Sequence, residues 1–119
     1  MAPKAPAELR LRIRVIRGSE ILIGPGKADL LDAIRGGGSL RAASEKLGMS
    51  YMRAWKLVQT MNRAFRQPLV VMERGGAARG RAGLTDTGLD VLVIYREMEA
   101  AARSASADSF RKLRTRTRK

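Results

Sequence analysis

The sequence predicts a mainly α-helical fold with small β-hairpins, a winged helix-turn-helix with a long C-terminal helix. Three observations support this fold class. Two short amphipathic segments between Gly38 and Asn62 are each preceded by a serine and are separated by Gly48-Met49. A glycine-rich basic loop between short β-prone runs follows them, over residues 69–85. A last apolar-rich segment, residues 86–104, is long enough for about five turns of helix.

Composition restricts the function more than the fold. The 119 residues carry a net charge of +13, which favours a polyanionic partner, nucleic acid first and an anionic membrane surface second. The chain has no cysteine and no histidine, so thiolate and Cys-ligated zinc chemistry are excluded and the commonest general base is missing. No apolar run approaches the roughly 20 residues of a membrane span, and the first residues lack a signal-peptide core. We therefore expect a basic cytoplasmic, nucleoid-associated domain that is not an enzyme, with no catalytic residues, cofactor or metal.

The chain is expected to divide into three parts. Residues 1–8, rich in Pro and Ala, are expected to be disordered. Residues 9–104 form the domain, with a last helix over 86–104, and residues 105–119 form a basic tail. From Leu9 to Val15 apolar residues alternate with three arginines, which predicts a strand with one buried face. The arginines are either the solvated face of an edge strand or accessory phosphate contacts.

Start and stop signals place the next helices. Ile21–Ile23 is a candidate return strand, and Lys27 to Arg35 has apolar residues at helical spacing before a run of three glycines. Ser39 and Ser50 are candidate N-caps of two further helices, because a serine hydroxyl accepts a bond from an unpaired first-turn N–H. A short helix, a turn containing glycine and a second helix form the helix-turn-helix pattern.

The second of these helices divides into two faces. On a wheel of about 100° per residue, Ala54, Val58 and Met61 share one side, which predicts the buried face. A recognition helix offers its N-terminal residues to base edges, so Arg53 and Lys56 lead the candidates for base contact. The candidate DNA-binding residues in this region are Ser39, Ser50, Tyr51, Met52, Arg53, Lys56, Gln59, Thr60 and Arg63. The alternative is a solvated helix surface. Trp55 is expected to be a packing residue and Asn62 to form structural hydrogen bonds.

The loop after this helix is predicted to be a β-hairpin wing. Pro68 ends the helix, and Leu69–Met72 and Leu84-Thr85 are the candidate strands. Arg74, Arg79 and Arg81 are candidate phosphate contacts, with glycines that allow close approach to a surface. The alternative interpretation is a loop that binds the phosphates of a nucleotide. However, neither a P-loop nor a dinucleotide-binding fingerprint is present between a strand and a helix.

The last helix is apolar on more than one side. A helix of this kind usually packs against other elements on two of its faces, and a domain this small can hardly cover both. We therefore expect a homodimer through this helix. The candidate interface residues are Leu89, Val91, Leu92, Ile94, Tyr95 and Met98. The tail beyond it either is simply solvated or binds nucleic acid nonspecifically.

Several stretches occur together: AAS-x-x-LGMSY-x-x-AW-x-x-V-x-x-MN, then PLV, Gly75-Gly76 and LTDTG. They resemble the N-terminal DNA-binding domain of ModE-type molybdate-responsive regulators, a winged helix-turn-helix related to the LysR type, over about Gly24 to Glu99. The resemblance implies a dimeric bacterial transcription regulator linked to molybdenum metabolism. It also implies that Ser50 to Arg63 enter the major groove of double-stranded DNA. A dimer is expected to bind a palindromic site, because half-site spacing mirrors the dimer. Family members also have a C-terminal molybdate-binding domain, whereas about twenty basic residues follow here. We expect a separate molybdate-sensing protein, or another signal.

Other function classes stay open at this point. A nonspecific architectural or RNA-binding protein would also be basic, although RNA readout favours exposed aromatic residues and the chain has five aromatics. A pure dimerisation partner of a full-length regulator would use the last helix without contacting DNA. Catalysis is the weakest alternative, since Asp29 and Asp32 are explained as surface acids favoured by the dipole of their helix.

Overall fold

The computed structural model describes residues 5–73 and 80–118. The prediction of a mainly helical chain with two small antiparallel hairpins and a long last helix is confirmed over these residues. The elements, in chain order, are β1 (Val15–Arg17), β2 (Glu20–Ile23), α1 (Pro25–Gly37), α2 (Leu40–Lys46), α3 (Tyr51–Ala64), β3 (Val70–Met72), β4 (Ala82–Leu84) and α4 (Asp86–Arg114).

The first hairpin is shorter than the alternating pattern suggests. β1 pairs antiparallel with β2, and pairing begins only at Val15, so the predicted strand over 9–15 is wrong for residues 9–14. The four-residue β2 provides no partner for the earlier residues. The alternation nevertheless describes burial, since the apolar residues of 9–14 are half-buried and the arginines are exposed. The Tyr95 hydroxyl holds the segment by donating to the Ile13 carbonyl at 2.7 Å.

Helix α1 is the centre of the core. Its proline at the first helical position has φ preset for a helix and lacks an N–H that would be unpaired there anyway. The helix therefore begins at Pro25, two residues before the predicted start, and it ends at Gly37. Leu30, Leu31 and Ile34 are fully buried, and α1 packs against α2, β4 and α4.

The second hairpin follows α3. β3 and β4 pair antiparallel, with Val70 opposite Leu84 and Met72 opposite Ala82. β4 ends at Leu84, where the predicted strand began, and the next residue, Thr85, is the N-cap of α4. Residues 74–79, which include the candidate contacts Arg74 and Arg79, lie outside the described residues.

Helix α4 is 29 residues long and continues ten residues past its predicted end at 104. Residues 105–114, expected as part of the tail, are helical. This stretch contains neither glycine nor proline, and an ion pair joins Asp108 to Arg111 one turn on. The last turn carries Arg111, Lys112 and Arg114, whose positive charges interact favourably with the negative end of the helix dipole. Among the described residues, each helix is too short or too polar to cross a lipid bilayer.

A charged cluster fixes α4 against α1. The Arg96 guanidinium contacts Asp29 Oδ1 at 3.0 Å, Asp32 Oδ2 at 2.7 Å and Glu99 Oε1 at 2.8 Å. Burial lowers the pKa of Arg96, but the hydrogen bonds to Glu99, Asp32 and Asp29 outweigh it and raise the pKa above its usual range. The two aspartates lie beyond the first turn of α1, so the explanation by helix dipole is wrong and these acids instead join two helices.

Candidate nucleic-acid interface

Helices α2 and α3 are separated by a tight four-residue turn. The Ala42 N–H donates to Ser39 Oγ at 3.0 Å, and the Arg53 N–H donates to Ser50 Oγ at 3.1 Å. Both predicted serine caps are confirmed. Gly48 in the turn has φ of 67°, a left-handed conformation that side chains other than glycine rarely adopt. The first turn of α3 is therefore held firmly relative to α2.

The two faces of α3 are as the wheel predicts. Ala54, Val58 and Met61 have no exposed surface and pack in the core. On the other side Met52, Arg53, Lys56 and Arg63 are exposed, while Gln59 and Thr60 are half-buried. The Thr60 hydroxyl donates to the Lys56 carbonyl at 2.9 Å, so its proton is used within the helix.

The exposed face of α3 has a single sign of charge. The helix contains three basic residues, Arg53, Lys56 and Arg63, and no acidic residue. The ion pairs formed within residues 5–73 and 80–118 do not include any of the three. This face can therefore attract a polyanion without first breaking contacts inside the protein.

The base of the second hairpin lies beside the start of α2. The Ala82 N–H donates to the Gly38 carbonyl at 2.9 Å, and Arg81 pairs with Ser39 as an isolated bridge. A shallow concavity lies between the hairpin and α3, and Tyr51, Trp55 and Arg81 are among its lining residues. Arg81, which is exposed, is thus brought to the same side of the molecule as the N-terminal half of α3.

Two residues of this surface differ from expectation. Trp55, predicted as a packing residue, keeps 37% of its surface exposed. Arg41 of α2 was not singled out from the sequence, yet its guanidinium carbon lies 5.4 Å from the centre of the Tyr51 ring. The contact crosses the turn between α2 and α3. The basic surface therefore extends from α3 onto α2.

The backbone from Pro68 to Val70, just after α3, forms hydrogen bonds with Asn62 on one side and with Thr85 on the other. Asn62 Oδ1 accepts from the Leu69 N–H at 2.8 Å and from the Val70 N–H at 3.1 Å, and its Nδ2 donates to the Val70 carbonyl at 3.0 Å. The predicted structural role of Asn62 is confirmed. From the other side, the Thr85 N–H donates to the Leu69 carbonyl at 3.0 Å, and the Thr85 hydroxyl donates to the Pro68 carbonyl at 2.7 Å.

Replacing Asn62 with alanine is expected to destabilise the protein by about 2 kcal/mol, because two N–H groups and a carbonyl lose their partner in a half-buried site. Urea unfolding followed by circular dichroism measures this change. Asn62→Asp keeps the acceptor but places a carboxylate oxygen against the Val70 carbonyl in place of the donor, so it should destabilise the protein as well. Equal stability of Asn62→Ala and the wild-type protein would contradict the structural role.

The long helix presents apolar residues to solvent near its N-terminus. Leu89, Ile94 and Met98 are 42%, 48% and 40% exposed, and Val91 is half-buried. Leu92 and Tyr95, in contrast, are 2% and 1% exposed in the core of the protomer. Their side chains leave no surface for a second chain, so the prediction that they contribute to a dimer interface is corrected. Val93, which is 46% exposed, was not included, although the apolar run from 91 to 95 contains it.

The chain is similar to proteins whose names refer to ModE or to molybdenum. It is 40% identical over 76 residues to the molybdenum transport protein ModE of Azotobacter vinelandii, which covers 64% of this chain and 28% of that protein. It is 35% identical over 83 residues to the molybdenum-pterin-binding protein MopA of Rhodobacter capsulatus (70% and 31%). It is 30% identical over 79 residues to the transcriptional regulator ModE of Haemophilus influenzae (66% and 31%).

These similarities confirm the relationship to ModE proteins that the motifs indicate. The chain spans less than a third of the length of these three relatives. No protein-family model matches the chain.

Proposed function

We propose that this protein is a sequence-specific DNA-binding transcription regulator, in which α2, α3 and the β3–β4 hairpin act as a winged helix-turn-helix. The observation that carries the proposal is the exposed face of α3. It begins at a capped N-terminus, is basic without any acidic residue, and lies beside a hairpin that carries the exposed Arg81. A helix of this kind fits the major groove, where its first residues reach base edges.

The roles of the residues follow from their chemistry and position. Arg53 is placed in the first turn, and arginine pairs bidentately with guanine O6 and N7. Lys56 follows one turn later on the same exposed side. Arg63, two turns further along, is better placed for backbone phosphates, as are Arg41 and Arg81 at the edges of the surface.

The biological unit in this proposal is a homodimer. The exposed apolar residues Leu89, Val93, Ile94 and Met98 of α4 would be covered by the same helix of a second copy. An interface related by two-fold symmetry would place two α3 helices on a palindromic site, since operator symmetry mirrors that of the protein.

The regulated genes are proposed to serve molybdenum metabolism. The support is the names of the relatives, one of which is a transcriptional regulator and two of which refer to molybdenum. We further propose that a separate molybdate-sensing protein supplies the signal to the residues described here, which act on DNA in the nucleoid. Adding molybdate alone to the purified chain should then leave its affinity for DNA unchanged.

Selection of bound sequences from a random duplex pool tests the function directly. A palindrome recovered at moderate salt is the expected result, with equilibrium sedimentation showing a dimer. A pool that stays random, together with equal affinity for all duplexes, would favour the nonspecific architectural protein indicated by the charge of +13. A dimer that binds no duplex would instead favour the dimerisation partner, and a stable monomer would overturn the dimer.

Replacing Arg81 with alanine should weaken binding to cognate and random duplexes by the same factor, because a phosphate contact carries no sequence information. The slope of log affinity against log salt should become shallower by about one. Titrations at several salt concentrations measure both quantities. Arg103→Ala, an exposed arginine of α4, is the matched control and should leave the slope unchanged. A loss confined to the cognate duplex would contradict the role of Arg81.

A further inference from the structure

Met52 is an apolar residue on the exposed face of α3, where its neighbours Arg53 and Lys56 are basic. Met52 is 56% exposed and contributes nothing to the core. On the helical wheel it lies about 150° from the centre of the buried face, close to the line of Lys56 and Arg63. Arg53 lies farther round the helix, towards the edge. The most central side chain in the first turn of α3 is therefore apolar.

An apolar side chain at this place has a specific chemical counterpart in duplex DNA. The base edges in the major groove present hydrogen-bond donors and acceptors and one apolar group, the C5-methyl of thymine. A methionine side chain is unbranched and flexible, so it can adapt its terminal methyl to a neighbouring surface. The neighbouring cations, Arg53 and Lys56, fit the phosphates and guanines around such a contact.

The positive charge around Met52 argues against a protein as the partner that contacts this side chain. A second copy of this chain would bring the same three positive charges of α3 face to face with its own. Like charges in that arrangement repel, whereas the backbone of a duplex is attracted to them. The apolar residues of α4 offer a copy of the chain a surface without this cost.

We propose that Met52 reads the methyl group of a thymine in the major groove and so selects thymine at one position of each half-site. The proposal rests on the proposed function, in which α3 enters that groove. It assigns Met52 a role in specificity, while the basic residues around it provide most of the affinity.

Single thymine-to-deoxyuridine replacements in the selected duplex test this role, because they remove the methyl and keep base pairing intact. The wild-type protein should lose about fourfold in affinity at one thymine of each half-site, the effect of burying one methyl group, and nothing at other thymines. Met52→Ala should bind the thymine and uracil duplexes equally. Met52→Leu, which keeps an apolar side chain, should restore the difference.

The control variant is Leu113→Ala, which removes a 63%-exposed apolar side chain from the far end of α4 and should discriminate like the wild type. Sequence-specific binding that is blind to uracil at every position would overturn the proposal and leave the proposed function standing. A difference that survives in Met52→Ala would assign the methyl contact to another residue. Absence of any sequence-specific binding would remove the function and the proposal together.

Discussion

Replacing Gly88 with alanine is expected to destabilise the protein by about 3 kcal/mol, the upper end of what overpacking usually costs. An added Cβ at Gly88 would lie 2.0 Å from the Leu69 carbonyl oxygen and 2.9 Å from its carbonyl carbon. Both atoms belong to the backbone, which cannot turn away as a side chain can. The first turn of α4 would have to move off the Leu69 backbone and break the bonds that Thr85 makes to it.

Guanidinium unfolding of the purified protein measures this loss as a lower transition midpoint. Gly26→Ala is the matched control, because nothing lies within 4 Å of a Cβ added there. Gly26 is helical, so alanine should leave the stability equal or raise it by up to about 1 kcal/mol. A midpoint of Gly88→Ala equal to that of the wild type would show that α4 does not pack on Leu69 as described.

Replacing Arg53 with alanine is expected to weaken binding to the selected site by about 1–3 kcal/mol for each half-site, while random duplexes lose far less. The reason is that a bidentate contact to guanine is made only on the cognate sequence. The Arg53 N–H, which donates to the Ser50 hydroxyl, is retained in the variant, so the cap of α3 should survive. Fluorescence anisotropy with cognate and scrambled duplexes measures both losses.

Two further variants separate charge from base reading at this position. Arg53→Lys keeps the charge but not the planar fork, so it should lose most of the discrimination and little of the nonspecific affinity. Arg66→Ala removes an exposed arginine just beyond the end of α3 and should preserve the ratio of the two affinities. Equal losses on both duplexes for Arg53→Ala would reject the base-reading role of Arg53.

The local features of the fold were predictable because they depend on neighbours in the chain. The serine caps and the buried side of α3 follow from spacing within one helix. The extent of β1 could not be predicted, because a strand needs a partner strand and the alternating pattern does not reveal how long that partner is. The end of α4 was missed because a basic composition indicates a tail, although residues 105–114 contain no residue that stops a helix.

The candidate site was predictable to the same degree. Arg53, Lys56 and Arg63 were identified because one helix positions them all. The wheel could not show that Leu92 and Tyr95 are buried by their own protomer, because that depends on packing across the chain, including the bond from Tyr95 to Ile13. The contact of Arg41 with Tyr51 and the fit of Gly88 on Leu69 are likewise products of tertiary structure.

Under the proposed function, the attachment of the Leu69 backbone to both α3 and α4 has a consequence for the DNA site. Asn62 of α3 contacts this stretch from one side, and Thr85 and Gly88 contact it from the other, so a change in the angle between α3 and α4 would break these contacts. In a dimer paired through α4, the distance between the two α3 helices is then fixed. One base pair inserted between half-sites displaces them by about 3.4 Å and about 35° around the duplex. A protein built in this way follows such a change only by bending the DNA, so its operators should share one spacing.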